Sequence, residues 1–183
     1  MDLTALLNDP AARRILHERA RSLARREHTT DTIAEELFVY FALGTERYSI
    51  PAATAREVLR ITRIAPLPAV PPAILGLVNV RGRLLVCIDL RPLLGLPAMP
   101  FQPTMHILVV HAAGIEAALL VDQVVAVQAE AVTLHPTPAT IAGGGVSWVR
   151  GVDDHLVIHL DPIGLLSDSR LAVNARELTP HRS

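Results

Sequence analysis

Apolar runs along the chain are short, rich in Val, Ile and Leu, and punctuated by Gly, Pro and Asp, a pattern that predicts β-strands rather than long helices. Leu37–Leu43 is apolar at every position and predicts a strand covered on both faces. The turn Gly44-Thr45-Glu46-Arg47 leads to a second strand at Tyr48–Ile50, and Ala55–Ile61 alternates enough to predict a third. Gly76–Leu90, GLVNVRGRLLVCIDL, predicts a β-hairpin whose tip, Asn79-Val80-Arg81-Gly82, carries a cation into solvent. Gly82 there provides the positive φ of a tight turn. In the second half Ile107–Val110 and Ile115–Val121 flank a turn at Ala113-Gly114, and Ala118–Val127 and Trp148–Val152 predict further strands.

The first 36 residues read differently. Asp9 caps a predicted helix with Pro10 in its first turn, running to about Arg26 with Ala12, Leu16, Ala20 and Leu23 on one stripe. Its other faces are basic, so Arg13, Arg14, Leu16 and Leu23 are candidates for docking an acidic partner surface, against the plainer alternative of a solvated helix. The stripe is too thin in large apolar side chains for firm membrane binding. Asp2 and Asp9-Pro10 interrupt any signal-peptide core, and the longest uncharged stretch, Ile64–Val80, holds Pro66, Pro68, Pro71 and Pro72, which would break a spanning helix. A cytoplasmic protein with no membrane insertion is expected. Pro66–Pro72 predicts an extended surface connector, Ala139–Gly145 a flexible loop, and residues after about Ser169 a short helical or frayed tail.

The two halves resemble each other. GLVNVRGRLLVCID (Gly76–Asp89) and GVDDHLVIHLD (Gly151–Asp161) both begin at Gly, pass through a hairpin into an aliphatic strand and end at an Asp followed by a leucine-bearing segment. Phe38–Ile50 and Ile107–Val121 match upstream, giving a degenerate duplication with a spacing of roughly seventy residues. The second hairpin is shorter and has no Asn-x-Arg-Gly.

Composition narrows the chemistry. Half of the 183 residues are hydrophobic but only 3% are aromatic, so the interior is aliphatic and two small units should pack together. A net charge of −1 gives no field for nucleic acid. All 17 basic residues are Arg, which excludes a P-loop lysine and a Schiff-base lysine. The single Cys87 cannot form an internal disulfide and sits between Val86 and Ile88, a buried strand position. His155 and His159 fall on one strand face but roughly 13 Å apart, too far to share a metal. Asp89 and Asp161 read as turn or cap residues, and no catalytic motif is present. No cofactor and no catalytic activity are expected.

F-A-L-G-x-E-x-Y-S-I-P (Phe41–Pro51), R-E-V-L (Arg56–Leu59), P-L-P (Pro66–Pro68), I-L-G-L-V-N-V-R-G (Ile74–Gly82), I-D-L-R (Ile88–Arg91), L-L-V-D-Q-V (Leu119–Val124), R-G-V (Arg150–Val152) and H-L-D (His159–Asp161) together resemble the CheW-like chemotaxis coupling proteins. The resemblance implies a mainly β fold of two SH3-like five-stranded β-barrels packed together, here behind an N-terminal α-helical extension (1–36). The implied domain covers 37–168, with the first barrel at about 37–100, the second at 101–168, and a tail at 169–183. It further implies a non-catalytic adaptor between a chemoreceptor cytoplasmic tip and the regulatory domain of a CheA-type histidine kinase. The alternative is a kinase-binding scaffold of a non-flagellar chemosensory pathway, whose helix recruits another partner. By motif match the receptor-binding residues are Asn79, Arg81, Gly82, Glu57 and Ala55, with an Arg81–Glu57 ion pair bracing a groove between the barrels. Phe41, Tyr48 and Ile50 are the expected kinase-binding residues. Ala52, Ala53 and Ala55 are smaller than the family's usual aliphatics, and Val86 replaces a common proline.

Overall fold

The computed structural model describes residues 35–137 and 146–172. The predicted helix with Arg13, Arg14, Leu16 and Leu23, the Ala139–Gly145 loop and the end of the tail lie outside those residues. Among the described residues the short aliphatic runs form ten strands: β1 (Glu36–Leu43), β2 (Glu46–Pro51), β3 (Ala55–Arg60), β4 (Ile74–Val80), β5 (Arg83–Asp89), β6 (His106–Ala112), β7 (Ile115–Val121), β8 (Gln123–Glu130), β9 (Val149–Val152) and β10 (Val157–Leu160). Two short helices, α1 (Arg91–Leu94) and α2 (Pro162–Leu166), follow β5 and β10. One five-stranded sheet has the order β8-β1-β2-β10-β9 and the other β3-β6-β7-β5-β4.

The sheets do not follow the expected split near residue 100. The outer sheet takes β1 and β2 from the first half and β8, β9 and β10 from the second, while the inner sheet is built from the continuous stretch between them. The cause is local. A three-residue 3-10 turn, Ala52–Thr54, carries the chain from β2 across to the edge of β6 instead of back along β1. Only Asp122 separates β7 from β8, and there the chain returns to pair with β1.

The duplication survives this exchange. In each sheet an antiparallel hairpin (β1–β2 or β6–β7) is joined in parallel to the last strand of a second hairpin, by β2–β10 or β7–β5. Gly76 and Gly151 hold equivalent places. Each opens its hairpin where another segment crosses: Ala65 exchanges backbone hydrogen bonds with Leu77, and His135 with Val152. A Cβ on Gly76 would lie 2.1 Å from the Ala65 carbonyl oxygen, and one on Gly151 would lie 2.7 Å from that of His135. Both glycines therefore answer to a close backbone approach.

Alternate residues of each strand face two cores. Val39, Phe41, Leu43, Tyr48 and Ile50 of the outer sheet meet Ile88, Leu108, Val110, Leu119 and Val121 of the inner one, with Trp148 and Leu165 beside them. Phe41, Tyr48 and Ile50 are fully buried there, the first two rings stacked at 5.8 Å. As a correction to the sequence expectation, these side chains offer no surface to a kinase; they are the seam between the sheets. On its other face the inner sheet encloses Val78, Val80, Leu85, Cys87, Ile107, Val109, Ala118 and Leu120. Phe38, Tyr40 and Val157 cluster on the corresponding face of the outer sheet. Leu37 departs from its fully covered expectation and is half exposed.

Asp161 caps α2 as expected, accepting from the backbone N–H groups of Ile163 and Gly164. Asp89 does more. With Asp122 it flanks the buried guanidinium of Arg91, whose Nη1 is 3.1 Å from Asp89 Oδ1. Asp122 also accepts from the Gly44 N–H at 2.6 Å, so this network joins α1 of the inner sheet to the β1–β2 turn of the outer one.

Candidate partner-binding site

Val80 pairs with Arg83, which leaves Arg81 and Gly82 as a two-residue turn with φ of 52° and 86°. Two positive values in succession make a type I′ hairpin turn, whose twist matches the strands it joins. Arg81 is a non-glycine residue in the left-handed region, held there by the turn around it. Asn79 Oδ1 accepts from the Gly82 N–H at 2.7 Å and fixes that turn. Val80 is fully buried, so it belongs to the strand and not to the tip.

The Arg81 side chain is 81% exposed, yet it is tethered: its Nε lies 3.0 Å from Glu57 Oε2. The ion pair expected between these two residues is thus present. Glu57 comes from the edge strand β3, on the same face as Leu59, which packs on the inner sheet's enclosed cluster. The other Glu57 oxygen accepts from Arg83 Nη2 at 3.0 Å, and Arg83 Nη1 donates to Glu116 Oε1 at 2.6 Å. One guanidinium therefore links carboxylates of β3 and β7. Its hydrogen bond to Glu116 outweighs the opposing loss of solvent and raises the Arg83 pKa, which keeps it charged. Beside this cluster Arg56 Nη2 lies 3.2 Å from His111 Nδ1, and His111 is paired with Glu116 across the β6–β7 ladder.

Of the five expected site residues, Arg81 and Glu57 touch, Asn79 and Gly82 shape the turn, and Ala55 sits half-buried against the core between the sheets. Sequence reading missed Arg83 and Glu116. A signal existed for Arg83, since the first residue after a two-residue turn shares its face with Val80. None existed for Glu116, because its place depends on the parallel β5–β7 register. It also missed a run of exposed apolar side chains on the two sheet edges: Val58 on β3, and Val125 and Val127 on β8, with Leu37 beside them on β1. Strand β8 also approaches β6, the partner of β3.

A second polar cluster lies inside the outer sheet. Ser49 Oγ is 2.8 Å from His159 Nδ1, and His159 Nε2 is 3.2 Å from Asp153 Oδ2, all three residues buried. Burial pushes the Asp153 carboxyl up, but hydrogen bonds from the Val157 N–H, from His159 and from the His155 N–H outweigh it and hold the carboxyl below its usual range. Nearby, burial and a 2.8 Å hydrogen bond to Glu130 push the Tyr40 hydroxyl up. Ser–His–Asp is the order of a nucleophilic relay, but a substrate cannot reach Ser49, and the cluster serves as a satisfied polar core. His155 lies in the turn before β10, not on its strand, so the expected pairing of His155 and His159 on one strand face is not formed. Among the described residues no three His, Cys, Asp or Glu side chains converge as a metal-binding set, and no helix is long and apolar enough to cross a membrane.

The family model described as CheW-like domain matches residues 37–170. Protein PilI of Pseudomonas aeruginosa is 36% identical over 88 residues, spanning 48% of this chain and 49% of its own length. Chemotaxis protein CheW of Helicobacter pylori is 27% identical over 128 residues, 69% of this chain and 78% of that protein. Among solved structures, the scaffolding protein TtCheW from Thermoanaerobacter tengcongensis superposes with a TM-score of 0.64 at 26% identity, covering 77% of this chain and 98% of that one. The two interlocked sheets, the Asn79–Gly82 turn and the Arg81–Glu57 pair thus sit in a chain that belongs to the CheW-like domain family.

Proposed function

We propose that this protein is a non-catalytic, cytoplasmic adaptor that couples the cytoplasmic tip of a chemoreceptor to the regulatory domain of a CheA-type histidine kinase. One observation carries the reading: an arginine that is mostly solvent-exposed is nevertheless fixed, by the type I′ turn beneath it and by Glu57 beside it. A charge held ready in one orientation loses little freedom on binding, the economy expected of a recognition residue on a rigid scaffold. The receptor face comprises Asn79, Arg81, Gly82, Glu57 and Ala55. With Phe41, Tyr48 and Ile50 buried, the kinase contact falls to Leu84 and Ile115. These exposed apolar residues stand two positions before the Val86–Ala117 pair, side by side on β5 and β7.

Reconstitution tests this. A receptor fragment and kinase should show raised autophosphorylation only when the protein is added. Arg81→Ala should abolish the gain while leaving the β-sheet circular-dichroism signal unchanged. Leu84→Ser with Ile115→Ser should weaken binding to the kinase regulatory domain and spare the receptor. If Arg81→Ala couples as well as the parent, the hairpin is not the receptor contact.

A further inference from the structure

We propose that Arg83 is a positioning residue for Arg81, and that the group Arg81 is set to receive is a partner carboxylate. The inference rests on the Arg81 hairpin being the receptor contact. Glu57 has two oxygens, and each is committed to a different arginine: Oε2 to Arg81 Nε, Oε1 to Arg83 Nη2. Arg83 is itself anchored at its other end by Glu116. Without Arg83, both oxygens of Glu57 would be available to Arg81. The side-on pair that follows would engage Nε and one Nη together and draw the guanidinium down onto β3.

With Arg83 in place, Arg81 is held through Nε, and among the described residues no acceptor meets its Nη groups. Two parallel N–H bonds along that outer edge match the two oxygens of a carboxylate in spacing and direction. The electrostatics agree. Arg83 balances the second carboxylate, so Arg81, Arg83, Glu57 and Glu116 form a neutral cluster, whereas without Arg83 two carboxylates would face Arg81 alone. Arg83 is thus the residue that keeps Arg81 both oriented and available.

The test is a double-mutant cycle on the full chain, reading affinity for a receptor cytoplasmic fragment by calorimetry. Arg83→Gln is expected to weaken binding about tenfold, the scale of one charge-assisted hydrogen bond. In an Arg81→Ala background it should cause no further loss. Affinity for the kinase regulatory domain and the urea midpoint should stay at parental values, which a merely structural role would not allow. Losses that simply add overturn the positioning role, as does a parallel loss of stability and kinase binding. If Arg81→Ala weakens receptor binding and Arg83→Gln does not, this inference alone fails; if Arg81→Ala has no effect, the hairpin reading fails with it. For the partner group, Asp→Asn and Glu→Gln replacements along the receptor tip should include one that weakens the parent but not Arg81→Ala. If every amide replacement is silent, the carboxylate assignment is wrong.

Discussion

Cys87 and His159 occupy the same place in the two sheets. Each stands two residues before the Asp that closes its hairpin, and each pairs in parallel with the matching strand, Cys87 with Ala118 and His159 with Ser49. The shared frame is filled by opposite chemistry. Cys87 sits in an apolar cluster with Val78, Val80, Ile107 and Leu120, and burial, with the Asp89 charge, pushes its thiol up to about 12. Around His159 the partners are Ser49 and Asp153, with the Phe38 ring edge-on at 5.1 Å.

The contrast predicts unequal costs. His159→Leu leaves the buried Ser49 hydroxyl without its partner and takes one of three donors from the Asp153 carboxylate, and should cost about 3 kcal/mol, read from urea unfolding. Cys87→Ala removes only a small apolar contact and should cost about 1 kcal/mol. The native thiol should also resist alkylation until the protein unfolds, because the thiolate is the reactive form.

Gly76→Ala should be among the most damaging single changes. The residue has φ of +139°, and the new Cβ would meet backbone, not a movable side chain. A loss of roughly 4 kcal/mol or failure to fold is expected. Gly82→Ala is the control: a Cβ there meets nothing within 4 Å, so only the φ of +86° is penalised, by about 1–2 kcal/mol. Comparing the two denaturation midpoints separates steric approach from turn strain.

Acid should act in part through Asp153. Its folded pKa lies below the ordinary carboxylate value, so in acid the unfolded chain takes up the proton first. The stabilisation is therefore complete above the unfolded pKa of about 4 and drains away as pH falls through the folded value. Asp153→Asn should lower stability at pH 7 and flatten the decline below the unfolded pKa of about 4. Urea midpoints at a series of pH values give the answer. An unchanged acid slope would mean that other carboxylates control it.

Arg91 and Arg81 are both paired arginines, with opposite expectations. Asp122→Asn leaves the buried Arg91 guanidinium short of one counter-charge and frees the β1–β2 turn, for a loss of about 3 kcal/mol. Arg81→Ala removes an exposed charge and should change stability by less than about 1 kcal/mol. Equal losses would mean that the tip is structural and not a contact.

Much of this was legible in the chain. Period-two and fully apolar runs located the strands because side-chain direction alternates along each one, and the repeat placed Gly76 opposite Gly151 and Asp89 opposite Asp161. The Arg81–Glu57 pair followed from the family motifs. What stayed hidden depends on which strands pair. The family resemblance gives Phe41 and Tyr48 to a kinase contact, although the unbroken apolar run Leu37–Leu43 already implies cover on both faces of the strand that carries Phe41. Glu116 reaches Arg83 only through a parallel register set by distant residues. The exchange of strands between halves turns on Ala52–Thr54, a turn too ordinary to announce its direction.

That crossover has a consequence for how the molecule comes into being. A polypeptide released only as far as residue 100 would hold β1 and β2 without their neighbours and β3 without β6, so neither copy of the ancestral unit remains able to fold alone. Sequence-distant segments must find one another before any part is finished, which favours slow assembly and a single cooperative melting event. Splitting the gene there should yield two insoluble fragments, rescued only when both are made together.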